Sequence, residues 1–152
     1  MSRLLGVDLG GKRVGLAIAD PGIDPPRPLA TVPRGATVEE DAATLRRFVE
    51  REDVTAVILG LPLDFDGGEG AQAAATRAWG EKIAEALGLP VLLRDERLSS
   101  DRAAQVIGPM KRGRSGGPPT ATQRRVYRER LDREAAAIIL RDELDARPRS
   151  DP

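Results

Sequence analysis

The sequence predicts an α/β protein built on a mixed five-stranded sheet with helices on both faces. Three observations carry that prediction. Two runs rich in Leu, Val and Ile, 3–9 and 14–20, are joined by Gly10-Gly11-Lys12-Arg13, a connection of hairpin length. Two later apolar runs, 54–61 and 90–96, alternate with stretches whose apolar residues recur at helical spacing. Strands that alternate with helices imply parallel pairing, whereas the opening hairpin is antiparallel, so the sheet must be mixed.

Each element follows in order. After the hairpin, the proline-rich DPGIDPPRP connection leads to a third short strand at 28–33, also of antiparallel type. Thr37, with Glu40 three residues on, is a capping-box pattern, and Val38, Ala42, Leu45 and Val49 continue it as one helical face. VTAVILGL, 54–61, reads as a buried central strand. The 61–70 loop leads into a second helix with Ala71, Ala75, Trp79, Ile83 and Leu87 on one face, stopped by Gly88 and Pro90. Next come the strand 90–96 and a short helix capped by Ser99 or Ser100 and running to Ile107. The Gly/Pro-rich stretch 108–121 reads as a mobile loop, and a last helix spans about Thr122 to Leu144. The expected organisation is one domain over 1–145 with a disordered tail at 146–152.

Composition narrows the chemistry. Among 152 residues there are 24 basic and 24 acidic side chains, and neither cysteine nor histidine. That excludes disulfides, zinc sites of the usual ligand sets, cysteine nucleophiles and any histidine-dependent triad. An enzyme with this composition works through carboxylates, Arg, Lys, hydroxyls, backbone groups or bound ions. Carboxylate oxygens suit hard cations such as Mg2+ and Mn2+. Charge is uneven: residues 111–133 carry Lys111, Arg112, Arg114, Arg124, Arg125, Arg128, Arg130 and Arg133 against Glu129 and Asp132. No apolar run is long enough to span a bilayer and the N-terminus lacks a signal-peptide core, so the expected location is the cytoplasm, with no membrane partner.

Within this frame three acids stand out. Asp8 lies inside an apolar strand, where an unpaired charge is costly and a bound cation would compensate it. The alternative is a strand-edge Asp8 that pairs with Arg13 or caps a turn. Glu96 closes the 90–96 strand, where sites of open sheets form, or else belongs with Asp95 to a solvated strand end between Arg94 and Arg97. Asp132 precedes Ala135-Ala136-Ala137 in the last helix. Those small residues allow a close approach to the sheet; the competing reading is a surface pair with Arg128 or Arg133. Asp64 and Asp66 read as turn formers, and Phe48 and Trp79 as core.

DLGGKRVGLA, ILGLPLDFDG, DERLSS and LDREAAAIIL match, in order and spacing, the YqgF family of RNase H-like nucleases. Its members are also described as pre-16S rRNA nucleases and as Holliday-junction-resolvase-like proteins. The resemblance covers residues 3–145. It implies an RNase H-like fold, a cytoplasmic nuclease that matures the 5′ end of pre-16S rRNA, and an acidic site at Asp8, Glu96 and Asp132. It also admits branched or single-stranded DNA as substrate, and a monomer or a homodimer. DERLSS stands where the family often has DERLST, and the 108–121 loop is richer in glycine than the family pattern.

The expected mechanism is phosphodiester hydrolysis with Mg2+ or Mn2+ on the three acids, because a bound divalent ion generates hydroxide near neutral pH. Lys12 and Arg13 in the hairpin turn, Arg97 and Ser99 after Glu96, and the basic Lys111, Arg112 and Arg114 are candidate contacts to substrate. For Lys12 and Arg13 the alternative is that they offset the acidic site. Two rival functions remain: a non-catalytic RNA-binding ribosome assembly factor that keeps the acids by chance, and an actin-like or sugar-kinase-type ATP-binding protein suggested by DLGGKRVG. The second would need a partner domain that the chain has no room for.

Overall fold

The computed structural model describes residues 2–64, 66–96, 99–113 and 115–147. Five strands form one sheet: β1 (Leu4–Leu9), β2 (Arg13–Asp20), β3 (Asp24–Pro33), β4 (Ala56–Leu61) and β5 (Val91–Asp95), in the order β3-β2-β1-β4-β5. β2 is antiparallel to both of its neighbours, whereas β4 is parallel to β1 and to β5. The mixed sheet expected from the sequence is therefore present. The four helices are α1 (Val38–Glu52), α2 (Ala71–Leu87), α3 (Ser99–Ile107) and α4 (Ala121–Ala146). None is long and apolar enough to cross a membrane.

Strand periodicity sorts residues onto two faces. Leu5 and Val7 of β1, Leu16 and Ile18 of β2, and Val57 and Leu59 of β4 join Ala42 and Leu45 of α1 and Trp79 and Ile83 of α2 in one core. On the opposite face Leu4, Ala17, Ala19 and Ile58 meet Ala136, Ala137, Ile139 and Leu140 of α4. Helices thus cover both faces, with α3 packed on α4 through Ala103 against Ala135 and Ile138.

The differences from expectation lie at element ends. β3 begins at Asp24 rather than 28 and contains Pro25, Pro26 and Pro28. It tolerates them because it is an edge strand with one ladder to make. Thr37 caps α1 by accepting from Glu40 N, but the Glu40 carboxylate takes Ala36 N rather than the cap residue's own amide. The complete capping box is at α4, where Thr120 and Gln123 serve each other. That helix continues through Ala146, into the expected tail; 148–152 lie outside the described residues. Three points of the segment before α4 are tied to that helix: Gln123 donates to Arg112 O, Arg124 donates to Pro119 O and Tyr127 donates to Gly108 O.

Candidate active site

Asp8 stands on the α4 face of β1, beside Gly60 of β4, and Glu96 follows Arg94 on the same face just past the end of β5. Glu96 N donates to Leu61 O and so continues the β4–β5 ladder by one residue. Gly6, Gly15 and Gly60 floor this face. A Cβ at Gly15 would collide with the backbone carbonyl of Asp132, one at Gly6 would lie 2.7 Å from Ala136 O, and one at Gly60 would lie 2.5 Å from Ile139 Cδ1. Helix α4 can approach only because the sheet lacks side chains there. The alanines of α4, expected to permit the contact, supply half of the condition.

That approach brings Asp132 to Asp8. The two residues, with Leu9, Gly10, Gly60, Pro62, Gln72, Glu96, Ser99 and Ser100, line one cleft of about 290 Å³. The three predicted acids therefore face a common space, although 88 and 36 residues separate them along the chain. Ser99 is also in the cleft, at the start of α3.

The electrostatics are uneven. Burial pushes the Asp8 carboxyl up to about 6, and the nearby Asp132 charge adds to the shift. Asp132 Oδ2 accepts from Arg13 Nε at 2.6 Å. Arg13 thus pairs with Asp132, not with Asp8 as one sequence reading allowed, and Asp132 pairs with neither Arg128 nor Arg133. Glu96 is only 7% exposed. Its carboxyl is raised to about 8 by burial first, then by a hydrogen bond and charge from Asp142, against the opposing pull of Arg102 and Arg94. Arg102 holds Asp142 through two contacts, 2.5 and 3.0 Å, and stands 4.0 Å from Glu96 Oε2. That pairing holds the Asp142 carboxyl below its usual range. Glu96 Oε1 is buried and, among the described residues, has no hydrogen-bond donor. Asp95 is exposed, so the strand end is solvated at one acid and closed over the other.

The other predicted contacts separate. Lys12 is exposed at the hairpin turn and does not line the cleft. Lys111 and Arg112 lie on the 108–113 segment away from it; Lys111 lines a second groove and Arg112 donates to Gly116 O. Arg97 and Arg114 lie outside the described residues, as does Phe65. Asp66 makes the expected turn by accepting from Gly68 N, and Trp79 is in the core, donating to Asp41 at 3.0 Å. Sequence reasoning missed Gln72, Ser100, Arg94, Arg102 and Asp142. Arg102 and Asp142 are 40 residues apart, on two helices whose mutual packing no local pattern announces.

Comparison with known proteins gives the family of the chain. The family model described as "RuvX: Holliday junction resolvase" matches residues 2–146. A protein of Anaeromyxobacter sp. (strain Fw109-5) named "Putative pre-16S rRNA nuclease" is 43% identical over 145 residues, covering 95% of this chain and 98% of that one. Its namesake in Anaeromyxobacter dehalogenans (strain 2CP-1 / ATCC BAA-258) is 42% identical over the same shares. Among solved structures, T. thermophilus RuvC in complex with Holliday junction substrate superposes with a TM-score of 0.49 at 15% identity, covering 91% of this chain and 92% of that one. The sheet order, with β2 antiparallel to both neighbours, is the RNase H-like arrangement that the resemblance implied. Family match and curated relatives together identify the protein as a nuclease-family chain: it belongs to the RuvX (YqgF) family.

Proposed function

We propose that the cleft is the centre of a metal-dependent nuclease that hydrolyses phosphodiester bonds in the 5′ region of pre-16S rRNA, with branched or single-stranded DNA as further substrates. The observation that carries this reading is the convergence of Asp8, Glu96 and Asp132 on one cleft in a chain without histidine or cysteine. The relatives' shared name supports the RNA substrate.

The residues fit a hard divalent cation in chemistry. They offer carboxylate oxygens alone, Glu96 Oε1 lacks a donor among the described residues, and Asp8 and Asp132 repel each other. In spacing the fit is partial: among the described residues no three acids stand close enough together to hold a metal. Asp8 and Asp132, with Glu96, would hold Mg2+ or Mn2+. The ion supplies Lewis acidity and a nucleophile at neutral pH. Arg13, which pairs with Asp132, and Lys12 at the hairpin turn would contact substrate phosphate. Ser99 and Arg97 orient Glu96 or the phosphate, and Lys111, Arg112 and Arg114 add sequence-independent phosphate contacts. Binding should therefore weaken steeply with salt.

The Arg13–Asp132 pair also favours a second reading, in which that contact is permanent and the protein binds RNA without cleaving it. A cleavage panel separates the two. Purified protein is given Mn2+ or Mg2+ with a 5′-extended 16S leader RNA, single-stranded DNA and a four-way junction. Cleavage of the leader RNA that disappears in Asp8→Asn supports the nuclease; RNA binding with no metal-dependent cleavage of any substrate rejects it.

A further inference from the structure

The acid cleft is not the one recess that a nucleic acid could use. A groove of about 320 Å³ lies between the C-terminal end of α3, the segment after it and the first turns of α4. Its walls combine Met110, Val126 and the ring of Tyr127 with two cations, Lys111 and Arg130. Val126 is 46% exposed, and Val106, one residue before the end of α3, is 62% exposed. Two polar side chains of the groove, Tyr127 and Gln123, are already committed. The Tyr127 hydroxyl donates to Gly108 O at 2.6 Å, which fixes the ring as a wall. Gln123 accepts from Thr120 N and donates to Arg112 O. What faces the opening is an apolar, partly aromatic surface flanked by Lys111 and Arg130, neither of which has an ion pair or hydrogen bond among the described residues.

We propose that this groove binds an unpaired nucleotide of the substrate strand, its base against Tyr127, Met110 and Val126 and its phosphate on Lys111 and Arg130. The inference rests on the nuclease reading and deepens it. Charge complementarity selects the occupant: the surrounding 111–133 segment is strongly basic, and an apolar wall between two cations suits a base joined to phosphates better than it suits a neutral apolar peptide. Continuity supports it as well. Helix α3 starts at Ser99 in the acid cleft and ends at Ile107 in the groove. At ~1.5 Å per residue its nine residues span ~13 Å, about four stacked nucleotides at ~3.4 Å each. On α4, residues 126–130 precede Asp132 by two to six positions. A strand laid across both recesses would have an unpaired base in the groove while a phosphodiester a few nucleotides away reaches the acids.

The test is a binding series by fluorescence anisotropy, in calcium buffer, with a single-stranded RNA and a fully paired duplex of equal length. Val126→Glu alters an exposed position and should fold; Tyr127→Ala removes the ring, and Tyr127→Phe keeps the ring without its hydroxyl bond. Val126→Glu and Tyr127→Ala should weaken single-strand binding about tenfold, as loss of one base–aromatic stack does, with less than a twofold change for the duplex. Tyr127→Phe should bind close to wild type. Tyr127→Ala should leave the salt slope unchanged, whereas Arg130→Ala lowers it by about one. Equal losses for single strand and duplex, or no loss in Val126→Glu, overturn the groove assignment while leaving the nuclease reading intact. Wild-type protein that binds neither nucleic acid overturns both.

Discussion

The two faces of the sheet are built on opposite principles. On the α1/α2 face the strands present Leu5, Val7, Leu16, Ile18, Val57 and Leu59, and the helices answer with Leu45, Trp79 and Ile83. Bulky side chains fill the space between those helices and the sheet. On the α4 face the strands present Gly6, Gly15 and Gly60, so the helix backbone itself meets the sheet. That approach carries Asp132 to the cleft that Asp8 lines. One face is filled by bulky apolar side chains and the other gathers the acids, and the polar groups follow the same division. Asp41 on the first face is satisfied by Trp79 Nε1 and Gly35 N, whereas Glu96 on the second keeps a buried oxygen without a donor among the described residues.

That contrast can be broken by substitution, and the outcomes rank by their effect on cleavage. Asp8→Asn should reduce cleavage on the order of a thousandfold, ~4 kcal/mol at 1.36 kcal/mol per tenfold. Its melting temperature should not fall, because the neutral amide removes a burdened carboxylate; unfolding of this variant would show that Asp8 is structural. Gly15→Ala comes next. Its Cβ meets the Asp132 carbonyl, so α4 must shift. Overpacking of this kind costs ~1–3 kcal/mol in stability, and displacement of Asp132 by ~1 Å should lower activity about a hundredfold. Leu45→Ala on the other face reverses the pattern. It should cost about 2–5 kcal/mol by denaturant titration, with kcat per folded molecule unchanged.

The smallest effect is a pH dependence that only the α4 face should show. In the metal-free protein the carboxyls of Asp8 and Glu96 are raised, to about 6 and about 8. A carboxyl that binds its proton more tightly when folded stabilises the fold at low pH, and that contribution is lost as pH rises from the unfolded value through the folded one. The wild-type melting temperature should therefore fall between pH 5 and pH 8.5, by several degrees at about 2–4 °C per kcal/mol, and Glu96→Gln should flatten much of that fall. The same shifts imply that Mn2+ binding at pH 7 releases about one proton, mainly from Glu96. Calorimetry in buffers of different ionisation enthalpy measures this, and zero release would mean that Glu96 keeps its proton and does not hold the ion.

Much of the fold was legible before any coordinates. The hairpin shows in its four-residue Gly-rich turn, the buried strands in their β-branched runs, and the helix stop at Gly88 in the left-handed backbone that Gly takes there. The extension of β3 through Pro25, Pro26 and Pro28 was not legible, because proline forbids a central strand but not an edge, and strand order is a tertiary fact. In the site, Asp8 was visible as a charge out of place in an apolar strand. Arg13 as the companion of Asp132, rather than of nearby Asp8, was not visible, because nothing local links positions 13 and 132.

By itself the sequence determined which side chains exist to do chemistry: carboxylates and arginines, with no histidine or cysteine, set in strands and helices whose periodicity is local. Only the tertiary structure decided how they meet. Arg102 and Asp142 on two helices close over Glu96, and three glycines from three strands line up to admit α4. The reason is physical. Periodicity and capping act over one or two turns of chain, whereas the charge on a carboxyl depends on whatever groups the fold brings within a few ångströms, however far apart they are in sequence.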